Sequence, residues 1–362
     1  MTVPAAVSSS ATGTSSRHHR RIARRLTFLF TTCSAVAFVS AYHPSHSLEH
    51  PPFAADSAVA TLAVDSAFGT LAAAVEPASN AYGRSGAVWM RTALPGEAVD
   101  YPIDLHGADN GLRYSWETVP DLVGSDSTRV LDGGPLVAPT QPGFYQLVVH
   151  RDSARFAVPG PTLAVLVPFV EKRGPMLDGY RIGMYDGERH SRDRADTAAT
   201  PEGFLKVMPD EMDLPISRHL QLGDFVTQDG QTTWPRFVAL SPRVIDKLEL
   251  VVERLTRATR DGNLHYTVYV HSGFRTPAHN RLVRRAAPDS RHQYGDAVDV
   301  AIDANSDGRV TAADARLVAA AVDSVEAEYP ELTGGMGLYV SRRYHHPYVH
   351  IDARGTRVRW HG

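Results

Sequence analysis

The clearest periodic signal in the 362-residue chain begins at Ser241-Pro242. A capping hydroxyl and a proline at the first helical position precede an apolar series at Val244, Leu248, Val251, Leu255 and Ala258. These positions recur at helical spacing and share one face, so they predict a core helix over 242–259. A β-like run, LHYTVYVHS, follows Asp261-Gly262, and Thr276-Pro277 opens a second helix predicted to reach about Ala286. Three short strand candidates, MGLYV, YVHID and TRVRW, close the chain. The mixture predicts an α+β domain with a small antiparallel sheet over 170–362.

Upstream the pattern changes. From Gly86 to about Phe169 come short β-like runs (AVWMRTAL, AVDYPIDL, LRYSWETV, GFYQLVVHR and ARFAV) separated by turn residues such as Pro95-Gly96 and Asp132-Gly133-Gly134. Runs this short at this spacing predict an all-β sandwich over 86–169. Pro142-Gly143-Phe144-Tyr145, opening a strand, is similar to the late strand of immunoglobulin-like modules. No catalytic constellation falls within it, so a spacer or docking role is expected. Residues 42–85, rich in Ala, Ser and Pro, read as a linker with a short helix within Ala58–Val75.

Charge separates a leader from the rest. Residues 1–41 hold Arg17, Arg20, Arg21, Arg24 and Arg25 and no acidic residue; taking those five charges from the overall −3 leaves the remainder near −8. That acidic balance argues against a nucleic-acid partner, because phosphate recognition needs a basic face. The arginines precede an apolar run from Leu26 to Ala41, ending in the small residues Val39-Ser40-Ala41. Basic start, short apolar stretch and small-residue exit predict a secretory signal, with an uncleaved membrane anchor as the alternative. The expected location is the periplasm or cell envelope. Cys33, the one cysteine, lies in this leader; a single cysteine excludes an internal disulfide and a cysteine-based zinc finger, so any metal must be held by His, Asp and Glu.

Four segments of the last domain can carry chemistry: Ser272-Gly273-Phe274-Arg275, SRHQYGDAVD (290–299), Gly334-Gly335-Met336-Gly337-Leu338-Tyr339, and Tyr348-Val349-His350-Ile351-Asp352. Catalytic zinc commonly takes three ligands from His, Asp and Glu. His292 and Asp299 are seven residues apart across a glycine turn, and His350 on a later strand can converge with them. Arg275 can support an oxyanion formed as water attacks an amide. Taken singly, the same residues read as a hydrogen-bonded turn, an ion-paired arginine and a satisfied sheet histidine.

The order of the four segments resembles the zinc D-alanyl-D-alanine carboxypeptidase family, related to peptidoglycan endopeptidases and to the hedgehog fold. The resemblance covers roughly Val170–Gly362, extending upstream through SRHLQLGDF (217–225). It implies zinc bound by His292, Asp299 and His350, Arg275 near the substrate carbonyl, and cleavage of amide bonds in peptidoglycan stem peptides or crosslinks. One departure stands out: many members carry a glutamate general base three residues before the last ligand, where this chain has Pro347. Asp352, His346 and His345 are the substitutes, with Asp352 alternatively orienting a ligand.

A second segment, DANSDGRVTAAD (303–314), looks like the calcium loop of EF-hands and dockerin modules. Asp303, Asn305 and Asp307 fall at positions 1, 3 and 5, Gly308 at the turn, Arg309 (through its carbonyl) at 7, Thr311 at 9 and Asp314 at 12. Its alternative is an Asx-rich turn capping the helix of 312–328. Trp234 and Trp360 are expected either in a core or along a substrate groove, and ERHSRDRADT (188–197) as a solvated loop. Together these readings predict an exported zinc peptidase acting on peptidoglycan peptides, with calcium as a structural second ion. The alternatives are a non-catalytic wall-binding protein, motivated by Pro347, and a calcium-dependent adhesion or scaffold protein.

Overall fold

The computed structural model describes residues 75–77, 83–105, 111–119, 123–124, 128–189, 200–258, 266–341 and 346–362. The leader, most of the linker with its expected helix, most of the 188–197 strip, and His345 lie outside them. Among the described residues, no helix is long and apolar enough to cross a membrane.

The β-rich module is built on a seven-stranded sheet. Its main path runs Met90–Ala93, Thr162–Val165, Gly143–Arg151, Arg113–Thr118, Val123–Gly124, with Ala154–Ala157 and Arg129–Val130 pairing at the sides. All pairs are antiparallel except Met90–Ala93 with Thr162–Val165. The partner layer consists of two two-stranded ribbons, Val75–Pro77 with Ile103–Leu105 and Ala98–Val99 with Leu136–Val137, rather than a second full sheet. Trp116 sits in their shared core, edge-on to Tyr101 at 5.3 Å, with its indole N–H on the Val137 carbonyl at 2.9 Å.

A three-stranded sheet of Val167–Pro168, Gly203–Val207 and Arg236–Val238 opens the C-terminal part. Val167 already pairs with Phe204, so the transition falls a few residues before the expected Val170. Helix α1 (Pro242–Ala258), α2 (Pro277–Asn280) and α3 (Ala312–Glu328) follow. The expected stripe on α1 is buried except for Ala258, which is exposed. The helix instead buries Asp246, Lys247 and Glu249 as well, because neighbours cover its polar side and supply partners. Helix α2 stops far short of Ala286. Beyond Asn280 the chain continues in tight turns, the Asn280 amide donates to the Ala287 carbonyl, and Leu282 is left 80% exposed.

The five-stranded sheet that carries the site has the order β1 (Val268–Ser272), β2 (Ala297–Ile302), β4 (Tyr348–Asp352), β3 (Gly335–Tyr339) and β5 (Val358–His361). Strand alternation sorts its residues. Val298, Val300, Ile302, Met336, Leu338, Val349 and Ile351 join the core shared with α1 and α3. Asp299 and His350 are therefore turned to the opposite face.

Candidate metal centre

His292 is presented by a single 3-10 turn, Arg291–Tyr294, that ends at Gly295 with φ 69°. A β-carbon at Gly295 would lie 2.1 Å from the Ala239 carbonyl oxygen, so only glycine fits between the turn and the chain before α1. Arg291 braces the turn through Asp296, with Nε 3.1 and 3.0 Å from the two carboxylate oxygens. The His292 Nδ1–H donates to the Gly273 carbonyl at 2.7 Å, leaving Nε2 free to face the sheet.

Asp299 and His350 are directly paired across β2 and β4. Asp299 Oδ1 lies 3.2 Å from His292 Nε2 and 2.8 Å from His350 Nδ1, and the two nitrogens are 3.0 Å apart. All three residues are buried, and they are the group of metal-ligating type that the described residues gather. The remaining Asp299 oxygen, Oδ2, takes Arg275 Nη2, and Arg275 Nε donates to the Ser272 hydroxyl at 2.7 Å. The Ser-Gly-Phe-Arg motif thus acts on this group: Gly273 orients His292, and Arg275, held by Ser272, orients Asp299. The structure places the Arg275 side chain against Asp299.

Hydrogen-bond chemistry decides whether a cation suits this cluster. A carbonyl only accepts, so His292 must carry its proton on Nδ1 and offer a lone pair at Nε2. His350 Nε2 faces Asp352 Oδ2 at 3.2 Å. Asp352 is fully buried, and Arg354 Nε (2.9 Å to both oxygens) and the Gly335 N–H (2.7 Å) also bind it. Burial alone would raise the Asp352 carboxyl, but the hydrogen bonds from His350, Arg354 and Gly335 hold it far below the usual carboxylate range. An ionised Asp352 only accepts, so neutral His350 carries its proton on Nε2 and offers a lone pair at Nδ1. Two imidazole lone pairs and a carboxylate oxygen then converge with no proton between them, which a divalent cation resolves. Burial pushes His292 down, toward the neutral form a metal needs. Burial opposes ionisation of Asp299 too, but His292 and His350 outweigh it and hold the carboxyl well below its ordinary value. His350 is raised, burial being outweighed by the hydrogen bonds and charges of Asp299 and Asp352. The donor set, two nitrogens and one oxygen, suits zinc.

Aromatic residues frame the same face. Trp360 lies with its ring 5.0 Å from that of His350 and donates its indole N–H to the Tyr339 hydroxyl at 2.9 Å. A β-carbon at Gly337 would stand 2.4 Å from the Trp360 ring, so the glycine-rich strand leaves the space that ring fills. Tyr339 and Tyr348 stack at 4.4 Å, and His271 approaches Tyr348 at 5.5 Å between ring centroids. Trp234, by contrast, is partly exposed and lies beside Arg236.

Of the proton-transfer candidates, Asp352 stands behind His350, on the side of that ring away from Asp299. His346 is exposed and close enough to influence His271 electrostatically. Sequence reasoning passed over His271 itself, which stood in the LHYTVYVHS run as one more strand residue. The available signal was its place immediately before Ser272 of the Ser-Gly-Phe-Arg motif.

The 303–314 loop is self-bonded. Asp303 accepts from the Asp307 and Gly308 N–H groups, Asn305 from Asp307, and Asp307 from Arg309. Asp314 accepts from Asn305 and Thr311 and completes the capping box of α3. The expected calcium ligands Asp303, Asn305, Asp307, the Arg309 carbonyl and Asp314 are thus arranged as a turn and helix cap; among the described residues, the group of His, Asp and Glu side chains gathered closely enough to hold a metal is His292, Asp299 and His350.

The α+β domain thus gathers two histidines and an aspartate into a group that could hold a metal ion. Residues 242–328 match the family model described as Peptidase M15, a zinc D-Ala-D-Ala carboxypeptidase-like family. The matched segment contains Arg275, His292 and Asp299 and ends before His350. No curated protein and no solved structure matches the chain.

Proposed function

We propose that the chain is an exported zinc-dependent peptidase that hydrolyses amide bonds in peptidoglycan stem peptides or crosslinks, as a carboxypeptidase or an endopeptidase. The observation that carries this reading is the convergence of His292 Nε2, Asp299 Oδ1 and His350 Nδ1, each fixed from behind by a partner. The Peptidase M15 match supports the reaction class. Zinc at this position supplies Lewis acidity that polarises an amide carbonyl and acidifies water. Gly273 and Asp352 fix the two imidazole tautomers, and Ser272 and Arg275 leave one Asp299 oxygen for the ion. Trp360, Tyr339 and Tyr348 wall the face on which a peptide would lie.

Export rests on the arginine-led apolar run of residues 1–41, and the β-rich module would position the enzyme against the wall or a partner. Calcium in the 303–314 loop is proposed as structural, on the sequence pattern of the loop. Adding calcium to chelator-treated protein should raise its melting temperature, and an unchanged value overturns that part. The peptidase reading is tested by incubating zinc-loaded protein with muropeptides and following new amines by mass spectrometry. Products should form with one zinc per chain, and vanish with chelator and in His292→Ala. Pro347 favours a second reading, a wall-binding protein that keeps the metal fold. Retention on cell-wall sacculi with no amine released by fully zinc-loaded protein would replace the first reading with this one.

A further inference from the structure

The proposed peptidase needs a group that moves protons, and the position filled by glutamate in many relatives by resemblance is Pro347. We propose that His271 is that group, taking a proton from the attacking water and returning it to the departing amine. The proposal rests on the peptidase reading above and on three observations about β1.

The first is backbone register. Val270 pairs with Val300, but Ser272 pairs with Asp299, so two steps along β1 match one along β2 and His271 is the extra residue of a bulge. Bulges re-aim side chains and recur beside active sites. This one sets His271 immediately before the residue opposite the ligand Asp299. Val270 remains against the core while Ser272, next to His271, reaches Arg275 on the metal face.

The second is the company the ring keeps. His271 lies 5.5 Å from Tyr348, which precedes His350 by two residues on β4 and so shares its face. The charged and titratable groups acting on His271 are Asp299 on β2 and His346 before β4. Its side chain is exposed, unlike the three buried ligands, so a bound peptide can reach it.

The third is protonation. Desolvation depresses the His271 imidazole below its ordinary value, and this outweighs the attraction of Asp299. That direction favours neutral imidazole, the form able to take up a proton. Asp352, by comparison, is wholly buried behind His350 and already bound by Arg354 and Gly335.

The reaction balances with one water. As the water oxygen bonds to the amide carbon, imidazole takes one of its protons; as the carbon–nitrogen bond breaks, imidazolium gives that proton to nitrogen. One amine and one carboxylic acid result, and His271 returns to its neutral form.

The test uses the full chain loaded with zinc and a crosslinked muropeptide. His271→Ala should lower kcat by about 10²-fold or more with KM little changed, since general acid–base catalysis is worth about 10²–10⁴-fold. The acidic limb of the wild-type kcat profile should flatten, and added imidazole should restore part of the rate. Zinc content and melting temperature should match wild type, and the His271 ring resonance, assigned by its absence from the variant, should shift when muropeptide binds. Retention of kcat within about threefold, or loss of zinc from the variant, overturns the proposal. If wild type itself releases no amine, the peptidase reading falls and this proposal with it; if wild type is active and the variant equals it, only the proposal falls.

Discussion

At the residue scale, the site depends on side chains that are fixed from behind. Asp352 is the sharpest case, since its charge keeps the His350 proton on Nε2 and so keeps Nδ1 available for the ion. Asp352→Asn can still fill the space but presents an amide that accepts more weakly, and Arg354 loses its charged partner. Partners of this kind typically change metal affinity by about 10–100-fold. Competition against a chromophoric chelator should therefore show zinc bound about 10–100-fold more weakly, with secondary structure retained; unchanged affinity would mean that Asp352 serves the fold alone. Much of this scale was legible in the sequence. His292, Asp299 and His350 stood in short motifs whose residue types have few other uses in combination. The placement of His271 and the Arg275–Asp299 pairing were not legible, because one depends on a bulge and the other on which Asp299 oxygen is reached. Neither the strand register nor that choice is written in residue spacing.

At the element scale, local signals located elements better than they set their extents. Ser241-Pro242 marked the start of α1, and YVHID and GFYQLVVHR proved to be strands with the expected bounds. Helix α2 failed at its far end because RLVRRA has helix-compatible residues but no buried face to repay their ordering, as exposed Leu282 shows. The capping box of α3 joins Thr311 to Asp314, residues that fall at positions 9 and 12 of the calcium-loop pattern. Thr311 accepts from the Ala313 N–H at 3.2 Å and donates its hydroxyl to Asp314 at 2.6 Å. Thr311→Ala removes the acceptor and should destabilise the protein by about 1 kcal/mol in chemical denaturation. A change near zero would show that Asp314 alone, through the Thr311 and Asn305 N–H groups, holds this helix start.

At the scale of the whole molecule, the two expected domains share more than a linker. Val88, Met90, Phe144, Ala164 and Leu166 of the β-rich module belong to one core with Phe204, Val244 and Val251. The segment 87–89 bonds alongside 216–218, with the Trp89 N–H on the Ile216 carbonyl at 2.9 Å. Composition and turn spacing distinguish the two patterns along the chain but do not reveal the seam, since apolar residues that face a neighbouring module look the same as those facing their own. Lys247 ties the seam to the site: its ammonium, buried on α1, meets Glu326 of α3 at 2.6 Å and the Asp352 carbonyl at 2.7 Å. One residue earlier, Asp246 accepts the Arg84 and Ser85 N–H groups at 2.9 and 2.8 Å, fastening the chain that leads into the β-rich module. Asp246→Ala leaves those two donors without this acceptor in a partly buried place. A lost partner of that kind costs about 1–3 kcal/mol. Because the core is continuous across the seam, the loss should not release one module while the other stays folded. Calorimetry should record a single transition for both proteins, lowered in the variant, and the zinc site should melt with it. Two resolved transitions in the variant would show instead that α1 belongs to the C-terminal domain alone and that the β-rich module is merely leaning on it.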